Sequence, residues 1–175
     1  MGKHINKANM QVKYDMYTAL LGLLKKHNIS TIGVSELTEE AGVSRMAFYR
    51  NYNTIEDILK EHLEIMFMDY AAEDAKTEES EIYCAYHYMI HCLKFFLKHH
   101  ELMDALISCG MGDMVLARIT EYLIQKWTPD PEEKADQMKM CVFAGAIYNI
   151  YREWAKREFR ESPEELAEIL STIQS

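Results

Sequence analysis

Residues 44–51, SRMAFYRN, place hydroxyl, guanidinium, phenol and amide groups within eight consecutive positions. Arginine can donate two hydrogen bonds to the edge of one guanine, and such a pair discriminates between bases by about 1–3 kcal/mol. We assign this base-reading chemistry to Arg45 and a contact with a thymine methyl group to Ala47. If the segment is a helix, its outward side chains are Ser44, Arg45, Ala47, Tyr49, Arg50 and Asn51.

The other polar groups of this segment suit phosphates. Ser44 stands where a helix would begin, so its hydroxyl and the free backbone N–H groups of the first turn can meet a phosphate. Tyr49 and Asn51 are long enough to donate hydrogen bonds to further phosphates. The composition also fits an ordinary surface hairpin of two helices with solvated arginines, and both interpretations stand at this point.

The residues before this segment predict the frame that would hold it. Gly42 lies between two short helical stretches and can adopt the positive φ of a tight turn. Leu37, Val43 and Phe48 have the spacing of buried positions, and Ala41 is small enough for two helices to approach closely. Two helices joined in this way form a helix-turn-helix, in which the second helix enters the major groove of DNA.

The stretch GVSELTEEAGVSRMAFYRNYNTIEDIL resembles the N-terminal domain of the TetR family of transcriptional regulators. The resemblance covers about residues 10–60, with AGVS, FYRNY and D-I-L in order and without insertion. It implies a three-helix DNA-binding domain, a helical ligand-sensing domain after it, and a homodimer. It also implies that the helix at 44–52 reads DNA and that the positions of Tyr49 and Asn51 contact phosphates.

Three positions depart from the family's pattern. Thr38 replaces a usual alanine, Gly33 replaces a phosphate-binding threonine, and Ile55 replaces a phosphate-binding lysine. Gly33 can then offer only its backbone N–H, from the N-cap of the preceding helix. Lys3, His4, Lys7 and Lys13, in the N-terminal arm and the first helix, are the groups expected to compensate. Because the salt dependence of DNA binding scales with the phosphates neutralised, the two losses predict a shallow salt slope.

The composition predicts an all-α protein. Of 175 residues, 49% are hydrophobic and 27% charged, and only three prolines and seven glycines leave little scope for turn-rich β architecture. We expect about nine helices in two domains: a helix-turn-helix DNA-binding domain at 1–52 and an effector-binding and dimerisation domain at 53–175, connected by a helix at 54–70. Residues 1–62 carry a net charge of +1 and residues 63–175 a net charge of −10. A DNA-binding protein needs only a basic contact face, so this balance fits the assignment.

The C-terminal stretch CVFAGAIYNIYREWAKREFRESPEELAEIL carries an apolar stripe over two helices. Small residues at 144–146 allow another helix to approach closely, and the resemblance implies that the last two helices pack against their symmetry mates as a four-helix bundle. The residues expected at this dimer interface are Ala144, Gly145, Ile147, Tyr148, Tyr151, Trp154, Leu166 and Leu170. The alternative is that the stripe packs only within the monomer.

Residues 82–127 are rich in methionine and aromatic side chains, a composition that adapts to small apolar or aromatic ligands. The residues expected to line an effector pocket are Tyr83, Tyr86, His87, Met103, Cys109 and Met111. Each of them, taken singly, fits an ordinary helical core at least as well. His87 and His91 stand four apart on one helix, but no acidic or cysteine partner accompanies them at a fixed spacing, so no metal or other cofactor is expected.

The sequence also limits the classes of function that we expect. The sequence has no glycine-rich phosphate loop, nucleophile elbow or HExxH zinc motif, so we expect no enzymatic activity. The first residues lack the apolar core of a signal peptide and no apolar run matches a membrane span, so a cytoplasmic location is expected. The expected function is a sequence-specific transcriptional regulator, a dimeric repressor on a double-stranded DNA operator that a small-molecule effector releases. The alternative is a helical regulator that acts through a protein partner, with weak or no effector binding.

Overall fold

The computed structural model describes residues 7–76, 86–128, 130, 132 and 134–172, and the regular secondary structure in these ranges is helical. The predicted all-α class is confirmed, with nine α-helices and one short 3-10 helix in the described residues. The first elements are Lys7–Leu24 (α1), the 3-10 helix Ile29–Thr31, Val34–Glu40 (α2), Arg45–Asn51 (α3) and Glu56–Asp74 (α4). The remaining helices are Tyr86–Lys98 (α5), His100–Ser108 (α6), Gly112–Trp127 (α7), Lys134–Lys156 (α8) and Pro163–Thr172 (α9).

The chain divides into two compact units, Met1–Met66 and Phe67–Ser175, and the division falls inside α4. The boundary expected from the sequence lay earlier, between residues 52 and 53. It moves because the first turns of α4 belong to the first unit. Ile58, Leu59 and Leu63, spaced one and four apart on α4, are fully buried in that unit's range of the chain.

The core of the first unit takes large apolar side chains from each of its helices. Leu20 of α1, Leu37 of α2, Phe48 of α3 and Ile58 of α4 are completely removed from solvent. Burying a side chain of this size contributes about 1.5–3 kcal/mol relative to leaving it exposed. The helices are short, so tertiary packing of these side chains, more than helix propensity, holds them in place.

Thr38 shows how this core accommodates a polar group at a position where the resembling family has alanine. The side chain is buried, and its hydroxyl donates to the backbone carbonyl of Val34, with an Oγ1–O distance of 2.8 Å. A buried hydroxyl with a partner costs far less than an unpaired one. The departure is therefore absorbed inside α2 itself.

In the second unit, α5 packs on α9, α7 packs on α8, and α6 contacts both α5 and α7. Trp154 and Tyr151 of α8 are its largest fully buried side chains. Trp154 donates its indole N–H to the backbone carbonyl of Glu161 at 2.9 Å, and Tyr151 donates its hydroxyl to Asp104 of α6 at 2.9 Å. Both rings are therefore buried with their polar atoms satisfied.

The start of α9 is a capping box, as the sequence ESPEEL predicts. The Oγ of Ser162 accepts from the backbone N–H of Glu165 at 3.2 Å, and the Glu165 carboxylate accepts from the backbone N–H of Ser162 at 2.7 Å. Pro163 is the first residue of the helix, where a missing N–H costs no hydrogen bond. These side chains fix the helix start at the predicted residue.

The stripe expected to form a dimer interface is packed within the protomer. The side chains that a single chain already buries are Ala144, Ile147, Tyr148, Tyr151, Trp154, Leu166 and Leu170. Gly145 alone of the expected set is partly accessible. These seven side chains pack against the other helices of the same chain, which is the alternative that the sequence left open. The outward face of α8 instead carries Met138 and Val142, which are 71% and 72% exposed.

Three cysteines in the described ranges are not joined in disulfides: Cys92 is buried, Cys109 half-buried and Cys141 exposed. Cys84 lies outside the described residues. Burial raises the pKa of the Cys92 thiol to about 12, so this thiol is protonated at neutral pH. Among the described helices, none is both long and apolar enough to cross a membrane.

Candidate nucleic-acid interface

The connection between α2 and α3 is a tight turn centred on Gly42. Gly42 has a φ of 65°, as its position in the sequence predicts. Its N–H bonds to the carbonyl of Glu39 at 3.1 Å, and the N–H of Val43 bonds to the carbonyl of Thr38 at 2.9 Å. This pair of bonds is a Schellman motif, which ends one helix and redirects the chain within two residues. The helix-turn-helix geometry follows from it.

Ser44 begins α3 as an N-cap, also as predicted. Its Oγ accepts from the backbone N–H of Ala47 at 3.1 Å, and its backbone is extended, with φ −81° and ψ 151°. The hydroxyl hydrogen of Ser44 remains a donor, because the bond to Ala47 uses only the oxygen. The preceding helix, α2, has Gly33 as its N-cap and therefore no side-chain cap, which leaves its first backbone N–H groups to other partners.

The outward face of α3 carries two arginines and two large side chains. Arg45 and Arg50 are exposed, and neither forms an ion pair within the part of the chain that the structure describes. The Arg45 guanidinium makes a long contact, 3.5 Å, with the hydroxyl of Ser35. Met46 is 78% exposed and Tyr49 is 61% exposed. These four side chains present donors and an apolar group in two adjacent turns.

Ala47 does not belong to this face. It is buried, together with Phe48, because both lie on the side of α3 that packs into the core. The expectation that Ala47 contacts a thymine methyl group is therefore wrong. Met46, which was not among the expected contacts, is the exposed apolar side chain of the helix. Its helical spacing from Tyr49 and Arg50 was the signal that could have identified it.

Asn51 is half-buried and engaged within the protein. Its amide exchanges two hydrogen bonds with the amide of Asn9 on α1, at 2.9 and 3.1 Å, and also donates to the carbonyl of Ala47 at 2.8 Å. The oxygen and one nitrogen of the side chain are thus committed to other groups. The structure makes Asn51 a link between α1 and α3, in place of the outward phosphate ligand expected from the sequence.

A second polar connection holds the same, C-terminal end of α3. Tyr52, which follows the helix, donates its hydroxyl to Glu61 of α4 at 2.5 Å, and the ammonium of Lys13 on α1 pairs with the same carboxylate. Burial alone would raise the pKa of Glu61, but the hydrogen bonds from Lys13 and Tyr52 lower it below its ordinary value. Glu61 is therefore charged at neutral pH and joins three helices of the first unit.

His62 lies beside this cluster. Its ring stacks on Tyr17 of α1, with centroids 3.6 Å apart and planes at 14°. Burial lowers the pKa of His62, and the nearby Lys13 adds to the effect while Glu61 opposes it. The neutral ring is thus the form that this packing favours at neutral pH.

Of four positions that bear on the phosphate contacts expected from the sequence, the structure describes three. Gly33 is exposed at the N-cap of α2 and can offer its backbone N–H. Ile55 is buried beside the start of α4, so its side chain packs in the core and does not face DNA. Lys7 is exposed at the first residue of α1, and Lys3 lies outside the described residues.

A cavity lies within the second unit, apart from the helix-turn-helix. The volume open to the centres of water molecules is about 30 Å³. That is room for about two waters and lies well below the roughly 300–1,000 Å³ of most ligand pockets. The aromatic and ionisable side chains that line it are Tyr70, Asp74, Tyr88, Tyr122, Lys126 and Trp127.

The residues expected to form an effector pocket do not line this cavity. Tyr86 and His87 are exposed, because the inward face of α5 begins one residue later with Tyr88 and Met89. These two side chains therefore do not line this cavity, which takes the residues that follow them on α5. Tyr83 lies outside the described residues.

The other three expected pocket residues occupy different places. Met103 is fully buried on α6, while Cys109 and Met111 are half-buried where α6 ends and α7 begins. None of the three contacts the cavity. They belong to the core and to a helix connection, which is the alternative that their composition left open.

Asp74 lines the cavity and is hydrogen-bonded by two of the other residues that line it. Its carboxylate accepts hydrogen bonds from the hydroxyl of Tyr122 and from the ammonium of Lys126. Burial, and then the hydrogen bond to Asp74, raise the pKa of Tyr122 above its ordinary range. The phenol therefore stays protonated and serves the carboxylate as a donor.

Neither charged residue of this cavity was among the site residues expected from the sequence, although a signal was present. Asp74 follows the buried Tyr70 by four positions on α4, and Lys126 follows the buried Leu123 by three positions on α7. Each charge thus occupies a core position of an amphipathic helix. Opposite charges in core register on two helices indicate a buried pair, since a single buried charge is too costly.

The described ranges contain no group of three or more His, Cys, Asp or Glu side chains arranged to hold a metal ion. His87 is exposed and His91 stacks on Tyr70, with ring centroids 5.3 Å apart. The two histidines thus have different surroundings despite their spacing of four.

No family model matches the chain, and no curated protein matches it. Solved structures share its fold. It is similar to Lin0861 from Listeria innocua, with a TM-score of 0.80 and 14% identity over 99% of this chain and 94% of that one. It is also similar to the dihydroxyacetone kinase operon activator DhaS, with a TM-score of 0.59 and 20% identity over 93% of each chain. At these identities the likeness establishes a shared all-helical fold, and one of the two neighbours is, by its name, an activator of an operon.

Proposed function

We propose that the chain is a transcriptional regulator of the TetR type, which binds double-stranded DNA sequence-specifically through α3. The observation that carries the proposal is the outward face of that helix. Arg45, Met46, Tyr49 and Arg50 project from a helix that follows a Schellman turn. In a helix-turn-helix the second helix enters the major groove, where arginine reads guanine and an apolar side chain meets the thymine methyl group.

The support of α3 agrees with this use. Reading bases requires a helix held in one orientation, because a bidentate contact depends on geometry. Asn9 bonds Asn51 near the end of α3, and Glu61 bonds Tyr52 directly after it. Arg45 and Tyr49 take part in neither connection and are exposed, so these side chains remain available.

The proposed active form is a homodimer, because one reading helix covers only one half-site. Its interface would be the outward face of the last two helices, where Met138, Val142 and Ile169 are exposed. Exposed apolar side chains of this size, gathered on one pair of helices, are typical of a protein–protein contact. This surface replaces the buried stripe expected from the sequence.

The chain has no catalytic role in this proposal, and an effector controls its affinity for DNA. Release of a repressor by a small molecule is the first form of this control. The name of DhaS supports the opposite direction, activation, as a second form. A third form is control by a protein partner, and the small volume of the cavity near Asp74 supports it, since a drug-sized effector has no room there.

The proposal is tested by selecting bound duplexes from a library of random DNA sequence. We expect enrichment of an inverted repeat whose half-sites are centred about one helical turn apart. The same selection with Ser44→Ala and Gly42→Pro variants reports on the cap and the turn. If several rounds with the folded wild-type protein enrich no sequence, the helix-turn-helix does not recognise DNA specifically. That result would favour control through a protein partner.

A further inference from the structure

A pair of side-chain amides joins the start of α1 to the end of α3. The N–H of Asn9 bonds to the side-chain oxygen of Asn51 at 2.9 Å, and the N–H of Asn51 bonds back to the oxygen of Asn9 at 3.1 Å. Asn51 also donates to the backbone carbonyl of Ala47 at 2.8 Å, which fixes the direction in which its amide points. Only a group that both donates and accepts can therefore complete the pair from α1.

The other contacts of α3 fix its depth on the core more than its rotation. Ala47 and Phe48 are buried, and apolar packing of this kind is non-directional. Tyr52 bonds to α4, but it follows the last residue of the helix. Hydrogen bonds weaken steeply when their angle departs from linearity. The two bonds between Asn9 and Asn51 are thus a directional link from α3 itself to another helix.

A small rotation of α3 would displace the side chains that it presents to DNA. Side chains extend to a radius of about 5–6 Å from a helix axis, so a rotation of about 10° moves their ends by about 1 Å. A recognition site has to be held within about 0.5 Å of its productive geometry. The long guanidinium of Arg45 extends beyond that radius and would move further. Rotation of α3 therefore has to be restrained for Arg45 to read a base.

We propose that Asn9 of α1 is a positioning residue for DNA recognition, which acts through Asn51 to fix the rotation of α3. The inference rests on the proposed function, because rotation matters only for a helix that reads DNA. Contacts with phosphates carry no sequence information, whereas contacts with base edges depend on strict geometry. Loss of the amide pair should therefore reduce the preference for one sequence and leave the affinity for unselected DNA unchanged.

The first test measures the affinity of full-length Asn9→Ala for a selected duplex and for its shuffled counterpart by fluorescence anisotropy. We expect the ratio of the two affinities to fall about tenfold, as for the loss of one bidentate base contact. The loss should extend to every base pair that α3 reads, whereas removal of a reading side chain affects its own base pair. Gln11→Ala is the matched control, because Gln11 lies on the same helix and bonds to Asp15 within α1.

A double-mutant cycle tests whether Asn9 acts through Asn51. Asn51→Ala should lower the ratio of affinities to the same extent as Asn9→Ala, and the two changes together should lower it no further. Losses that multiply in the double variant would overturn the proposal. An equal loss of affinity for both duplexes in Asn9→Ala would also overturn it, since that result is expected of a side chain that itself contacts a phosphate.

Hydrogen exchange of backbone amides tests the link without DNA. In Asn9→Ala the last turn of α3 should exchange about fivefold faster, the equivalent of one hydrogen bond. Its reporter is the N–H of Tyr52, which bonds to the carbonyl of Phe48 at 2.9 Å. The thermal unfolding midpoint should stay close to that of wild type, and Asn51→Ala provides the same test if Asn9→Ala does not fold. Unchanged exchange in the folded variant would overturn the positioning role.

The two kinds of measurement separate this inference from the proposed function. If exchange in α3 changes but the wild-type protein prefers no DNA sequence, the amide pair restrains α3, and both the proposed function and the role of Asn9 in recognition are wrong. If the wild-type protein is selective and Asn9→Ala is equally selective, the proposed function stands and only the role of Asn9 is wrong.

Discussion

Glu61 and His62 are neighbours on α4 whose environments favour different ionisation states. Glu61 is charged and His62 is neutral. Glu61 is held ionised by Lys13 and Tyr52, and His62 is held neutral by burial against Tyr17. Each residue therefore contributes to the stability of the fold only above the pH range in which it becomes protonated. The pair makes the first unit, which presents α3, sensitive to acid.

The sign of the histidine effect follows from linkage. The pKa of His62 is lower in the folded protein than in the unfolded chain, so the unfolded state binds more protons as the pH falls. Its stabilising contribution is fully present above the unfolded pKa of about 6.5 and is lost as the pH falls toward the lower folded value. His99, whose pKa burial also lowers, adds a similar loss from the second unit.

We predict that His62→Phe reduces the loss of stability between neutral and mildly acidic pH. Phenylalanine keeps the stacking on Tyr17 and cannot be protonated. The measurement is the free energy of unfolding from denaturant titrations at a series of pH values, with His27→Phe, at an exposed position, as the matched control. An identical pH profile for wild type and His62→Phe would show that this histidine does not carry the effect.

At the scale of elements, the turn between α2 and α3 sets the direction of the reading helix. Gly42 is in the left-handed region, where a side chain strains the backbone, although no atom would obstruct a Cβ there. Gly22 also has open space around its Cα, but it lies inside α1 with ordinary helical geometry. The same substitution at the two glycines therefore isolates backbone conformation from packing.

We predict opposite signs for Gly42→Ala and Gly22→Ala. The first should destabilise the protein by about 1–2 kcal/mol through left-handed strain, and the second should stabilise it by about 0.5–1 kcal/mol through helix propensity. Denaturant titration of both variants provides the comparison. Two changes of the same sign would contradict the assignment of Gly42 to the turn.

The elements most predictable from sequence were those with side-chain signals at their ends. Ser44 and Ser162 both cap helices at the predicted residues, and Gly42 has the predicted conformation. These features are local, since each depends on a few neighbouring residues. The buried face of α4 was equally predictable from the sequence, because apolar spacing of three and four defines a helix face without any knowledge of the fold.

The outward and inward faces of α8 and α5 were not predictable in the same way. Both sides of these helices carry apolar residues, so periodicity alone does not say which side faces the core. The result was an interface assigned to the buried Tyr151 and a pocket assigned to the exposed Tyr86. Asp74 and Lys126 lie 52 residues apart in sequence. The core register of each charge was visible on its own helix, but their contact also depends on how α4 and α7 pack.

At the scale of the whole molecule, charge limits how strongly the protein can hold DNA. The chain has a net charge of −9, and the exposed side chains Glu36, Glu39 and Glu40 lie on the helix next to the reading helix. The position of Ile55, where the resembling family has a lysine, is in the core. Few cations are therefore available for the phosphates.

We predict a shallow dependence of DNA affinity on salt. The logarithm of the binding constant should fall with the logarithm of salt concentration at a slope that corresponds to fewer than about ten neutralised phosphates per dimer. Titrations of one selected duplex at several salt concentrations give the slope. A steeper slope would mean that additional cations reach the DNA.

The dimer provides another prediction at this scale. Val142→Glu places a charge on the exposed face of α8 and should convert the dimer to monomers, with a parallel loss of affinity for the two-half-site duplex. Met68→Glu is the matched control, because Met68 is exposed to a similar degree on α4. Sedimentation velocity distinguishes the species. A wild-type monomer, or a Val142→Glu variant that stays dimeric, would place the contact elsewhere or remove it.

The central claim is that α3 reads DNA, and fluorescence anisotropy on a selected duplex and its shuffled counterpart tests it most directly. Arg45→Ala with Arg50→Ala is compared with wild type and with Arg160→Ala, an exposed arginine of the second unit. The account predicts that the double variant loses preference for the selected duplex, with about 1–3 kcal/mol lost for a bidentate contact by Arg45, while Arg160→Ala behaves as wild type. Unchanged affinity and selectivity in the double variant would contradict the account.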